Sequence, residues 1–259
     1  MKQIILITDG CSNVGLSPVV AAAHAKGEGI VVNVIGLIDT SVLGEHGIDE
    51  VNEIAQAGGG MSRLVTVDQL SQTVQMMTRK TVVQTIQQAV GKELQHILGD
   101  SRLESLPPDK RSQVVQVMDE LSETTDLDIV LLIDTSASMK PKLAAVKESI
   151  YDLQLSLQAR SGYSRMAVFH FPASVSGQEE VEMDLNWTSD LANLNRLFYK
   201  LNMKGTTPTG PALLKVIQFI TTTAAVDDIY SRKGGAAVDQ PVRDSAPKVK
   251  DGMLSDYVV

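Results

Sequence analysis

Residues 128–139 read DIVLLIDTSASM. Five consecutive apolar residues, Ile129 to Ile133, are long enough for a strand. They lack the apolar–polar alternation of a strand with one wet face. Such a run predicts a central parallel strand buried on both sides. The chain then becomes rich in short oxygen-bearing side chains: Asp134, Ser136 and Ser138. Pro141 can open the next helix, and Leu143, Val146, Ile150, Leu153 and Leu157 fall on one helical face.

Two other segments share this grammar. Residues 4–10, IILITDG, are an apolar run ending at Asp9. Residues 204–213, KGTTPTGPAL, place threonines at 206, 207 and 209 before a helix at Pro211, whose apolar side holds Leu213, Leu214, Ile217 and Ile220. Between the first two lie a helical stretch around Ala21 to Ala25, a strand over 30–38, and a helix over 48–57 stopped by Gly58 to Gly60. A short strand over Leu64 to Val67 follows, then a long helix capped by Asp68 and running to about Leu98. A Pro-Pro connector over 99–109 leads to a helix carrying Val114, Val117, Met118 and Leu121. Residues 165–171 and 181–185 read as paired strands around a polar turn, and the chain after about Ser231 as a flexible tail. Strands alternating with helices predict an α/β fold, a doubly wound and mostly parallel sheet with helices on both faces.

In such a sheet the C-terminal ends of parallel strands share one edge, where ligands bind. Asp9 and Asp134 should meet there if their strands belong to one sheet. Neighbouring strands lie about 4.8 Å apart, so the two carboxylates would repel. A divalent cation relieves that repulsion. Hydroxyls of Ser136, Ser138 and a threonine would complete an all-oxygen shell suited to Mg²⁺, or to Mn²⁺ or Ca²⁺. Water or a partner's carboxylate would take the remaining positions.

These residues resemble the von Willebrand factor type A (VWA) family in its bacterial cytoplasmic form. DIVLLIDTSASM is similar to that family's first strand and its Asp-x-Ser-x-Ser loop, KGTTPTGPAL to its threonine loop, and IILITDG to its fourth strand. The resemblance implies a metal-ion-dependent adhesion site of Asp9, Asp134, Ser136, Ser138 and Thr207. The form GTT stands where the family has GGT, so Thr206 competes with Thr207 for the ligand position. It also implies a metal-dependent protein-binding module whose partner offers an Asp or Glu, with kinases or ATPases as associated machines. The order differs, because the Thr-Asp-Gly strand comes first here. Residues 1–98 match the C-terminal half of the fold and 126–231 the N-terminal half, with 99–125 as a helical connector and 232–259 as the tail. Residues 1–231 are therefore expected to form one circularly permuted domain; the alternative is halves exchanged in a swapped homodimer.

Composition narrows the classes. A net charge of −8 disfavours a nucleic-acid partner. The lone Cys11 permits neither an internal disulfide nor a Cys-rich zinc site, which fits a cytoplasmic protein. No run reaches the length of a membrane span, and the N-terminal apolar run is too short for a signal peptide. No histidine lies near either Asp loop in sequence, so no general base is evident and binding is favoured over catalysis. The enzymatic alternative is a Mg²⁺-dependent hydrolase or phosphatase using Asp134 or Asp9; a scaffold with a vestigial metal is a third reading. His170 reads as a core or surface histidine rather than a ligand, Trp187 as core or exposed contact, and Glu179, Glu180, Glu182 and Asp184 as a solvated hairpin.

Overall fold

The computed structural model describes residues 1–38, 45–98, 102–173, 181–198 and 206–233. Residues 1–221 form one compact unit and residues 222–259 a second. The sheet and both of its cores belong to the first unit. Most of the expected tail, Glu179, Glu180, and Lys204 and Gly205 of the threonine loop lie outside the described residues.

The two apolar runs become neighbouring strands of one sheet. β1 (Lys2–Thr8) pairs in parallel with β4 (Leu127–Asp134), in register from Lys2 opposite Asp128 to Ile7 opposite Ile133. On the far side of β1 lie β2 (Ile30–Leu37) and β3 (Gly59–Val65), both parallel. On the far side of β4 lie β5 (Ser164–Phe171), parallel, and β6 (Glu182–Thr188), the antiparallel edge. The strand order is β3-β2-β1-β4-β5-β6. Successive strands run outward from the centre in both directions, so the winding reverses between β1 and β4. That reversal opens a crevice beyond the C-terminal ends of these two strands.

Period-two alternation sends each strand's residues to two cores. Ile5, Ile7, Leu131, Ile133 and Val168 face the layer of α3 (Leu70–Leu98), α4 (Pro108–Thr124) and α5 (Leu143–Gln158). Ile4, Leu6, Val130, Leu132 and Phe169 face α1 (Pro18–Gly27), α2 (Glu45–Ala57) and the start of α6 (Thr209–Lys233). Both faces are covered, which is why the strands carry unbroken apolar runs. α3 belongs to the first core along Leu70, Val74, Met77, Val82 and Ile86, whereas the adjacent Met76 is exposed.

A buried polar pin fixes the half of the sheet outside β1. Asn33 of β2 donates through Nδ2 to Gln3 of β1 (3.2 Å) and Thr81 of α3 (3.0 Å), and its Oδ1 accepts the Met61 N–H of β3 (3.0 Å). Asn33 is thereby satisfied although buried, whereas Nε2 of its partner Gln3 is buried without a hydrogen bond among the described residues. Asn33 ties three strands and a helix in one register.

Some expected boundaries shift. β3 begins at Gly59 rather than Leu64, because Gly60 passes so close to the Val32 carbonyl that a Cβ would overlap it. The glycines end α2 and also open the next strand. Asp68 sits in a 3-10 turn, Val67–Gln69, ahead of α3. Pro141 lies within a 3-10 segment, Ala137–Lys142, and α5 starts at Leu143. Of the two described β6 carboxylates, Glu182 is partly exposed as expected but Asp184 is turned inward. Asp184 lies 2.7 Å from Nδ1 of the buried His170, and Glu182 lies 3.7 Å from its Nε2. Trp187 stacks on Phe219 at 5.3 Å, with the Arg165 guanidinium 4.8 Å from its ring.

Candidate functional site

Three chain segments converge at the β1–β4 crevice. The first is the turn after β4. Asp134, the last residue of that strand, is fully buried. Its Oδ1 accepts the Ser136 N–H at 2.8 Å, and its Oδ2 accepts the Thr8 hydroxyl at 2.7 Å. Thr8 ends β1, so this bond crosses the seam between the two halves of the sheet. Thr135 turns the other way, donating its N–H (2.7 Å) and hydroxyl (3.1 Å) to the Phe171 carbonyl of β5. The alternation of Asp-x-Ser-x-Ser thus sorts side chains: Asp134, Ser136 and Ser138 share the rim, while Thr135 anchors the loop to the neighbouring strand. Met139, fully buried, anchors its far end in the core.

The second segment follows β1. The Asp9 side chain is only 1% exposed. Its Oδ1 accepts the Ser138 hydroxyl at 2.8 Å and its Oδ2 accepts the Lys142 ammonium at 2.8 Å. The Ser136 and Ser138 hydroxyls are 3.2 Å apart. Asp9, Asp134, Ser136 and Ser138 therefore form one hydrogen-bonded group, although 125 positions separate the two Asp residues in the chain.

The third segment carries Thr207, which is buried while Thr206 is exposed. The Thr207 N–H donates to Asn13 Oδ1 (2.8 Å), and its carbonyl accepts from the Asn13 N–H and the Ser12 hydroxyl, both at 3.2 Å. Nearby, Gly210 lies so close to Leu16 that a Cβ would overlap the Leu16 carbonyl. Gly15, at φ +86°, packs under Pro211 in a left-handed conformation that suits glycine. The loop leaving Asp9 is thereby clamped to the start of α6. Glu50 of α2 holds the same loop, accepting the Ser12 N–H with both oxygens at 3.0 and 3.2 Å.

Burial sets the electrostatics. It pushes the Asp134 carboxyl above its ordinary range, against the opposing effect of the Ser136 and Thr8 hydrogen bonds, and the nearby Asp9 charge pushes it further the same way. Burial likewise raises Glu50, partly offset by the Ser12 N–H. Cys11 is exposed, and its thiol is pushed up by partial burial and by Glu50, which disfavours the reactive thiolate. Among the described residues, no group of three or more His, Cys, Asp and Glu side chains could hold a metal. The rim's donor set is instead two carboxylates and several hydroxyls, a set of hard oxygens.

Comparison with known proteins identifies the family. The von Willebrand factor type A domain model matches residues 128–237. The uncharacterized protein YabS of Bacillus subtilis (strain 168) is 47% identical over 241 residues, spanning 93% of this chain and 95% of YabS. The chain is a VWA-domain protein of the YabS family. A crystal structure of an uncharacterized protein from Alicyclobacillus acidocaldarius is 42% identical, with a TM-score of 0.78 over 87% of this chain and 96% of that one. The domain match begins at β4, and the rim it shares with β1 is built partly by residues that lie before it. No helix among the described residues is long and apolar enough to cross a membrane.

Sequence reasoning missed three contributors to this VWA rim. Thr8 adjoins Asp9 and could have been read as a strand-end hydroxyl aimed at a neighbour. Asn13, which holds Thr207, follows the Thr-Asp-Gly turn closely. Lys142 gave no signal, since a lysine before a helix normally points to water.

The raised Asp134 pKa has a thermodynamic sign. A carboxyl that binds its proton more tightly folded than unfolded favours the fold at low pH, and that favour is lost as pH rises through the folded value. Metal-free Asp134→Asn, which keeps the shape without the charge, is therefore expected to melt above wild type at pH 8. The gap should be smaller at a lower pH such as 5. Thermal melts in EDTA at both pH values check this; an Asn variant less stable at pH 8 contradicts it.

Proposed function

We propose that this VWA-domain protein is a protein-binding module whose rim holds one Mg²⁺, or Mn²⁺ or Ca²⁺ in its place, and grips a partner's Asp or Glu through that ion. The observation that carries the reading is the meeting of Asp9, Asp134, Ser136 and Ser138 in one hydrogen-bonded group at the topological switch point. The donor chemistry fits a hard cation. Asp134 is a buried carboxylate raised by burial and by a neighbouring carboxylate, an environment that a divalent ion relieves. Ser136, Ser138 and Thr207 would supply hydroxyl oxygens, and Asp9 and Asp134 the charge. When bound, the ion would supply an electrophilic position for an anionic oxygen.

Binding suits this rim better than catalysis. The Ser136 and Ser138 hydroxyls bond to each other and to Asp9, rather than to an imidazole or amine that would activate a nucleophile.

We further propose that the chain is a circularly permuted VWA domain complete in one copy. Two facts support this: the domain match starts at β4, and β1, which precedes that match, pairs with β4 within the same chain. The solution mass is then expected to be that of one chain, 27.9 kDa. A dimer that cannot be dissociated without unfolding would instead favour exchanged halves.

The site reading is tested by calorimetry and by affinity capture. Wild type should bind one divalent ion, and Asp134→Ala should bind none while keeping its circular dichroism spectrum. Partner capture should require Mg²⁺ and fail both in EDTA and with Asp134→Ala. Capture that persists unchanged in EDTA contradicts the reading.

A further inference from the structure

The rim already contains a cation of the chain's own. Lys142 ends the 3-10 segment that follows the Asp134 loop and sits at the N-cap of α5. Its side chain is 6% exposed, and Nζ lies 2.8 Å from Oδ2 of Asp9, itself buried. Two costs oppose this placement. An ammonium taken out of water loses its hydration, and so it is rarely buried unless paired. A positive charge at a helix N-terminus also opposes the helix dipole, since α5 runs for 16 residues from Leu143. Asp9 offsets both. The ion pair explains why the lysine lies here rather than extending into water, as its flexible stem allows.

The charge balance gives the pair a meaning beyond packing. With both carboxylates ionised, Asp9, Asp134 and Lys142 together carry one negative charge. A divalent ion entering beside them leaves the cluster with a net positive charge, whereas without the lysine it would leave the cluster neutral. Like charges sharing one rim repel, the more so where side chains such as Lys142 and Asp9 are buried. We propose, on the strength of the metal-site reading above, that Lys142 is a built-in counter-cation: it holds the Asp9 and Asp134 loops together when no ion is bound, and it weakens the rim's affinity for a divalent ion. The loaded site keeps an excess positive charge, which an anionic side chain from a partner neutralises.

The test compares wild type with Lys142→Met, using Mn²⁺ alone as the probe. Lys142→Gln serves as a second variant that removes the charge but can still donate to Asp9. In EDTA the Met variant should melt below wild type, because Asp9 has lost its counter-charge. By calorimetry both variants should bind Mn²⁺ about tenfold or more tightly than wild type, and Mn²⁺ should raise their melting temperatures by more than it raises that of wild type. Binding by the variants alone also supports the proposal. Equal or weaker Mn²⁺ affinity in folded variants overturns it and leaves the metal reading standing. No binding by any of the three proteins overturns the metal reading and the proposal together.

Discussion

The pairing of β1 with β4 is the constraint on which the rest of the molecule depends. It joins two halves of the chain separated by more than a hundred residues, and it does so in the middle of the sheet, where both faces are covered. Because the two strands are parallel and in register, their C-terminal ends stop level. Asp9 and Asp134 are thereby delivered to the same rim, with the Thr8 hydroxyl bridging the seam. A one-residue slip would turn each strand's apolar residues to the opposite core and would part this bond.

The crevice stores electrostatic tension that the fold only partly relieves. Asp134 has no exposure to solvent and is answered by neutral donors, the Ser136 N–H and the Thr8 hydroxyl. Asp9 is answered by a hydroxyl and by an ammonium. Both carboxylates pay a desolvation cost, which their hydrogen bonds and, for Asp9, the Lys142 ammonium offset. A buried carboxyl pushed above its ordinary range at a strand-end crevice marks a candidate site. The clamp of Gly15, Gly210 and Asn13 fixes the third loop against the one that leaves Asp9.

The architecture could be read from the chain because burial on both faces writes itself as apolar runs. IILI and IVLLI are short, unbroken apolar runs of the kind central strands carry, and their acidic endings marked the rim. The Asp-x-Ser-x-Ser spacing was readable because alternate residues of a turn point to different surroundings. Other features depend on distance through space and left no local trace. Lys142 precedes a helix in sequence and meets Asp9, 133 positions away, only once the chain has folded. Asp184 looked like one of a run of surface acids, yet antiparallel pairing with β5 brings it against a buried imidazole. Gly59 and Gly60 were legible as a helix stop, but the strand they open depends on how closely β3 passes Val32.

On the proposed reading, two acidic side chains on one rim hold a cation. Crystals grown with Mn²⁺ and measured at a wavelength where manganese scatters anomalously test it most directly. The expected result is a single strong peak at the β1–β4 crevice, within about 2.0–2.2 Å of oxygens from Ser136 and Ser138. An anomalous map with no peak at that crevice, or with its only peak on another part of the surface, would contradict it.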